Sequence, residues 1–494
     1  MARGEERHGS TIHYGRRRTI ALGACVLLAQ ASLAYADSSA PIGSDAGAAD
    51  PLLGSDSLSI VRPRYDLALA EIEGNNMVVN SFDRFLIPAL FDLPGDWAQT
   101  NLQTAWANVE GPWGITDEAP FPVTEIGHPI QGSLYFIAGR ANGFDFWESA
   151  AGTAFGALMW KVFGEVDDPY VNSLITTTMG GIALGEMLHR LYIEAASQGS
   201  AARFVASPLD AADDALFGKD RDEGARGRVA LSLEAGMVAP YLELDPLRGI
   251  APGPGDIAGV VGDTIVYGDP FGDRGAPFDY FEQRFDLALS PSFYGLSFFS
   301  DGTLFSLPLV DDQRTELSFA SCLHYDYVYS SIVELEANAV GLSLIGERKE
   351  ADRLALKGEL HVNAVVLGAN ENEYFREFDG AQGINQQGRD YDFCFGEEAK
   401  VYLSASQPRL GTLSLELTCY GFQAIPGVYV SSDPPAPVDY SIVGILDLAY
   451  ERDVAAHLGI GVAYLLYFKD ALYGSLPPIL ESVQAVTVYA RLHS

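Results

Sequence analysis

The chain is poor in cysteine and in positive charge. Its 494 residues include four Cys, and three of them (Cys322, Cys394 and Cys419) remain once an export signal is removed. An odd number excludes a fully paired disulfide framework, and no Cys-x-x-Cys or Cys/His spacing suggests zinc. One Cys322–Cys394 disulfide is compatible with the sequence, because both residues fall on the more polar parity of their strands. Lys and Arg total 31 against 66 Asp and Glu, a net charge of −35. So acidic a chain repels phosphate rather than releasing counterions from it, which argues against nucleic acid as a partner. No Gly-x-Ser-x-Gly elbow surrounds a serine, and no loop resembles a phosphate cradle. The chain also ends Leu492-His493-Ser494, without the terminal aromatic common in outer-membrane barrels.

Hydrophobic residues make up 48% of the chain, enough to expect a folded protein despite the charge. Arg16, Arg17 and Arg18 precede an apolar stretch from Thr19 to Leu33, and Ala34-Tyr35-Ala36 offers small residues at a cleavage site. Residues 1–36 therefore read as a signal peptide. They carry five Arg and two Glu, a net of +3, so their removal takes the charge from −35 to −38. Residues 37–75, rich in Ser, Ala, Gly, Pro and Asp, read as a flexible leader.

From about Arg228 onward, apolar and polar side chains alternate. Leu458, Ile460, Val462, Tyr464, Leu466 and Phe468 interleave with Gly459, Gly461, Ala463, Leu465 and Tyr467. Period two places successive side chains on opposite faces of a strand. Candidate strands span 228–239, 256–267, 278–290, 293–300, 303–310, 315–329, 331–346, 353–368, 393–406, 411–424, 439–451, 455–468 and 482–493. The weakest is 256–267, and thirteen is one too many for an even-numbered barrel. Asp301-Gly302 has the form of a two-residue hairpin turn. Many strands are long enough for a tilted membrane crossing. Tyr325, Tyr327, Tyr329, Phe422, Tyr467 and Phe468 are placed for an interfacial aromatic girdle. Long and tight connections alternate near the C-terminus, as barrels arrange them. Together these features predict an α+β chain: a helical domain at 76–225, then an antiparallel β-barrel of about 12 strands at 226–494, exported to the outer membrane. A soluble antiparallel sandwich shows the same alternation, which leaves a periplasmic protein as the alternative.

Residues 76–225 lack strict alternation. Phe82–Phe91, Asp96–Val109, Gly132–Ala141, Phe146–Phe163, Asn172–Ala195 and Ala211–Phe217 read as helices. Asp145 is a candidate N-cap, with Glu148 completing a capping box. The segment His128-Pro129-Ile130-Gln131-Gly132-Ser133-Leu134-Tyr135-Phe136 leads to Asn142-Gly143, Phe146-Trp147-Glu148-Ser149 and Gly180-Gly181-Ile182-Ala183-Leu184-Gly185-Glu186. This run resembles a bacterial envelope family known only as a domain of unknown function, over roughly residues 76–220. The resemblance implies no activity and no catalytic residues.

His128, Gln131, Arg140, Asn142, Glu148, Glu165, Asn172 and Glu186 are polar groups set in apolar helices. Such groups are costly to bury unless paired. They form either a site, with His128 as acid or base and Glu148 or Glu186 beside it, or a network that fixes helix register through Gln131, Arg140, Asn142, Glu165 and Asn172. The register network is the reading preferred. Metal binding is not expected: Glu186 and His189 give one Glu-x-x-His pair where a di-iron bundle uses two. No cofactor is implied. The functional expectation is a non-enzymatic envelope, channel or scaffold protein, its helices periplasmic or plug-like. Outer-membrane lipid is the expected partner, with an envelope protein or small molecule unspecified. The alternatives are a membrane-associated enzyme on lipid or envelope substrate, using His128 and Glu148, and a periplasmic binding protein.

Overall fold

The computed structural model describes residues 63–86, 96–116, 120–217, 228–243, 257–272, 276–291, 293–350, 354–374, 391–425, 438–474 and 476–493. The signal-peptide reading and most of the leader lie outside them. The leader ends earlier than its composition suggests, because helix α1 already begins at Tyr65 (Tyr65–Ser81). There follow α2 (Leu102–Glu110), α3 (His128–Ala141), α4 (Phe146–Met159), α5 (Val171–Ser197), α6 (Arg203–Ala206) and α7 (Pro208–Phe217). None of the described helices is long and apolar enough to cross a membrane.

Local chemistry fixes several helix ends. The Asp145 carboxylate accepts the Glu148 N–H at 2.8 Å, and Glu148 Oε2 accepts the Asp145 N–H at 3.0 Å, the capping box expected for α4. Pro129 sits where a π-helical turn (Val123–Gly127) runs into α3, and the Glu125 carbonyl four residues before it accepts the Tyr325 hydroxyl instead of a backbone N–H from position 129. Helices α3 and α5 then touch backbone to backbone: a Cβ on Gly132 would come within 1.9 Å of the Thr177 carbonyl oxygen.

Twelve antiparallel strands follow: β1 (Val229–Glu243), β2 (Ala258–Tyr267), β3 (Phe281–Leu289), β4 (Tyr294–Asp311), β5 (Thr315–Ser330) and β6 (Glu334–Glu350), then β7 (Leu354–Glu371), β8 (Tyr391–Gln407), β9 (Gly411–Ala424), β10 (Val438–Ala455), β11 (Leu458–Tyr473) and β12 (Ile479–His493). Each pairs with its sequence neighbours, and β1 pairs with β12 from Ser232↔His493 to Glu243↔Ser482, closing the barrel. The segment at 256–267 is a strand. The expected hairpin at Asp301-Gly302 does not form, and 293–300 and 303–310 are one strand, which resolves thirteen into twelve. Asp301 is held by Lys400 at 2.8 Å, and Gly302 lies under the Phe278 ring, 2.1 Å from where a Cβ would sit. Glycine here admits an aromatic ring rather than turning the chain.

Ion pairs between non-neighbouring strands show which parity points inward. Arg284 on β3 meets Glu416 on β9 at 2.5 Å, and Lys400 on β8 meets Asp326 on β5 at 2.8 Å. Such contacts run through the lumen. The opposite parity points outward, and much of it (Leu342, Leu360, Val362, Leu413, Ile460 and Val488 among others) is exposed and apolar. An outward apolar surface around a polar interior is the pattern of a membrane barrel.

The helical domain packs against the outside of this wall. Leu231, Ile265, Phe281, Phe285, Phe298 and Tyr325, all of outward parity, share one core with Phe136, Leu184 and Met187. Phe121 stacks on Tyr327 and Tyr329 and meets Tyr391 edge-on, with ring centroids 5.2–5.8 Å apart. The Tyr325 hydroxyl donates to the Glu125 carbonyl, and Arg190 reaches Asp279, between β2 and β3, at 2.9 Å. The described helices therefore do not plug the lumen. The aromatic girdle is also reassigned: Tyr325, Tyr327 and Tyr329 are buried under helices, while Phe422 and Tyr467 belong to an inner apolar layer with Leu335, Val443 and Val483. Cys322, Cys394 and Cys419 are free thiols, so the Cys322–Cys394 disulfide is not formed.

Candidate functional site

The polar residues of the helical domain are mostly engaged with one another. Glu186 is fully buried between Arg140 (Nε–Oε2 2.9 Å) and Arg190 (Nε–Oε1 2.8 Å), a triad joining α3 to α5. Arg140 also donates to the Phe144 carbonyl at 2.9 Å. Glu148 serves the α4 cap and accepts the Tyr65 hydroxyl at 2.8 Å. Gln131 donates to the Tyr135 hydroxyl at 2.6 Å, and Asn142 donates to Glu71 at 2.8 Å. Glu165 pairs with Lys161 at 2.7 Å. Asn172 is buried, and its backbone N–H bonds the Ile115 carbonyl at 3.1 Å.

His128 is half-buried, and among the described residues no hydrogen bond or ion pair joins it to Glu148 or Glu186. Burial, reinforced by the Lys161 ammonium, holds its imidazole well below the usual range, so it is neutral near pH 7. His189 instead pairs with Asp210, at 3.1 Å. The structure thus distributes His128, Glu148 and Glu186 over separate environments instead of gathering them into one acid–base site. Each carboxylate has a structural task.

The barrel lumen gathers charge more densely. A cavity of about 400 Å³ is lined by Glu234, Glu282, Asp286, Asp301, Glu416 and Asp447, with Arg284 and Arg491 as its basic side chains. Arg491 lies 2.8 Å from Glu451 and 3.5 Å from Glu234. Beside this cavity, Lys400 binds Asp301 and Asp326, each at 2.8 Å, and Glu398 at 3.3 Å. Next to it His324, His361 and Cys322 cluster, all buried. Sequence reasoning missed this group. Its signal was present: Cys322 and His324 share inward parity on β5, as His361 does on β7. What period two cannot supply is the register that brings β5 and β7 together across β6.

Residues 114–211 match the family model of a domain of unknown function, DUF3943. The match falls on the helical domain, within the run that carried the sequence resemblance. No curated protein matches the chain. Among solved structures, the outer membrane channel DcaP of Acinetobacter baumannii aligns at 8% identity and TM-score 0.24, covering 54% of this chain and 97% of that one. The NanC porin aligns at 10% identity and TM-score 0.26, covering 53% and 99%. The KdgM porin aligns at 10% identity and TM-score 0.22, covering 53% and 98%. The barrel assignment here rests on this chain's own strand pairing.

Proposed function

We propose that the protein is a non-enzymatic outer-membrane barrel whose lumen favours cations. The observation that carries this reading is the cavity lining, six carboxylates against two arginines. A low-dielectric wall around one sign of charge focuses the field and concentrates counter-ions. The exposed apolar side chains of outward parity fit a lipid partner. The barrel's first and last strands meet at one end, by the Ser232↔His493 pair. The connections from Glu371 to Tyr391 and from Ala424 to Val438 lie at the other end. Long connections opposite the termini are the usual arrangement, with the termini periplasmic. The inner apolar layer of Leu335, Tyr420, Phe422 and Val443 would then act as a constriction that controls passage by dewetting.

The test is reconstitution of the purified mature chain in planar bilayers under a KCl gradient. A reversal potential displaced toward that of K⁺ supports the reading. A freely soluble mature chain, absent from the outer-membrane fraction and indifferent to boiling in gel migration, sinks it. A membrane-inserted barrel without conductance would leave the scaffold role instead.

A further inference from the structure

Three side chains meet inside the barrel without a structural task that explains all of them. Cys322, His324 and His361 are 2%, 0% and 4% exposed. Their ligand-capable atoms all lie within 4.8 Å of one another, and the two imidazole rings stand 5.1 Å apart at 87°. Each histidine is oriented from behind by a carboxylate. His324 Nδ1 contacts Asp301, and His361 Nε2 lies 3.2 Å from Glu359 Oε2. That leaves His324 Nε2 and His361 Nδ1 buried, with no hydrogen-bond partner among the described residues. Leaving two buried nitrogens unsatisfied is costly unless something else binds them. Cys322 Sγ lies 3.1 Å from the Ser343 hydroxyl and faces both imidazoles, His324 and His361.

We propose that Cys322, His324 and His361 form a transition-metal site of the Zn²⁺ type in the lumen wall, with its fourth position open to water. Carboxylate–histidine pairs of this kind fix the tautomer and ring orientation of metal-binding histidines. One thiolate and two imidazoles suit a borderline-soft divalent ion. Metal–ligand distances of about 2.0–2.3 Å place tetrahedral ligand atoms about 3.3–3.5 Å apart, so closing the site takes small side-chain rotations.

The fold makes room for the ion. Between β5 and β7, strand β6 places Ala339, Gly341 and Ser343 opposite His324, Cys322 and Ala320 respectively. Small side chains there leave the ligands of the flanking strands free to meet. The surrounding charge also fits. Asp301, Asp326, Glu359 and Glu398 face Lys357 and Lys400. With Cys322 as thiolate and neutral imidazoles, five negative and two positive charges leave −3, which a divalent ion reduces to −1. Asp301 also lines the cavity, giving the ion a route in.

The test is titration of the full mature chain, in detergent and stripped of metal, with Co²⁺ and then Zn²⁺. One equivalent of Co²⁺ should give the intense visible bands of a tetrahedral ion and a near-ultraviolet thiolate charge-transfer band. One equivalent of Zn²⁺ should erase both. Cys322→Ser should abolish the charge-transfer band, His361→Ala should remove tight binding, and Asp301→Asn should weaken it about 10–100-fold. Cys419→Ser should change nothing. The proposal is overturned if the parent chain binds no more Co²⁺ than Cys322→Ser, or if the charge-transfer band follows Cys419 instead. Should Cys322→Ser lose its heat-modifiable fold, alkylation decides in a Cys394→Ser/Cys419→Ser background. Zn²⁺ must then slow modification of Cys322, and an unchanged rate rejects the site.

Discussion

Arg284 on β3 spans the lumen to Glu416 on β9, Nη1 to Oε2 at 2.5 Å, and lies 3.7 Å from Asp286 on its own strand. It is one of two basic side chains on a cavity with six carboxylates. Replacing it opens the lumen and removes a positive charge at once. Arg284→Ala should therefore raise single-channel conductance and sharpen cation preference, measured by the reversal potential in a KCl gradient. Glu416→Gln should move the reversal potential the other way. If the two variants shift selectivity in the same direction, lumen charge does not set it.

Phe121 anchors the helical domain to the barrel through Tyr327, Tyr329 and Tyr391. It is 1% exposed. Truncating a buried aromatic costs about 3–5 kcal/mol. In Phe121→Ala that cost falls on the seam, not on the strand ladder. Limited proteolysis should cut the helical domain much faster in the variant, while the barrel keeps its boiling-dependent migration. Equal cleavage of both forms would mean the seam contributes little.

The barrel was legible because its signal is local. Alternation on β11 identified the outward Ile460, Val462 and Phe468 correctly, and Asp145 with Glu148 announced the α4 cap. The failures are all non-local. Asp301-Gly302 has turn chemistry, but Lys400 and Phe278 come from distant segments and hold it extended. Tyr325, Tyr327 and Tyr329 do point outward, yet a second layer of helices covers them, and parity cannot distinguish lipid from helix as the covering. The Cys322–His324–His361 cluster needs the β5–β6–β7 register, which no single strand encodes. In the helical domain the polar residues stand out from apolar helices, but their partners do not. The Glu186–Arg190 pair is an i,i+4 contact within α5, whereas the Glu186–Arg140 pair follows only from how α3 lies on α5.

That triad predicts a stability effect. Glu186 is fully buried, with two guanidinium partners. Removing one member of a buried ion cluster leaves uncompensated charge and costs about 3–5 kcal/mol. Glu186→Gln keeps the shape and loses the charge, so it should lower the melting temperature of the helical domain without altering lumen conductance. Loss of conductance with unchanged melting would instead place Glu186 in the functional machinery.

Glu71 on α1 gives the helical domain a pH dependence. Burial first, and the Asp213 carboxylate next, push its carboxyl up to about 7, against the pull of Asn142 and Arg64. The folded state thus binds this proton more tightly than the unfolded chain does. Stability from that proton is fully present below the ordinary carboxylate range, and it is lost as pH rises through about 7. Against His128 and His189, whose burial-depressed imidazoles favour the folded state at higher pH, Glu71 should raise the melting temperature near about pH 5 relative to about pH 8. Asp83, raised by burial to about 6, adds to the same trend. Glu71→Gln mimics the protonated form, keeps an acceptor for Asn142, and should remove the Glu71 component, so that relative to the parent the variant gains melting temperature between about pH 5 and about pH 8. Melting curves followed by helix ellipticity decide: an unchanged slope in Glu71→Gln would assign the dependence to other groups.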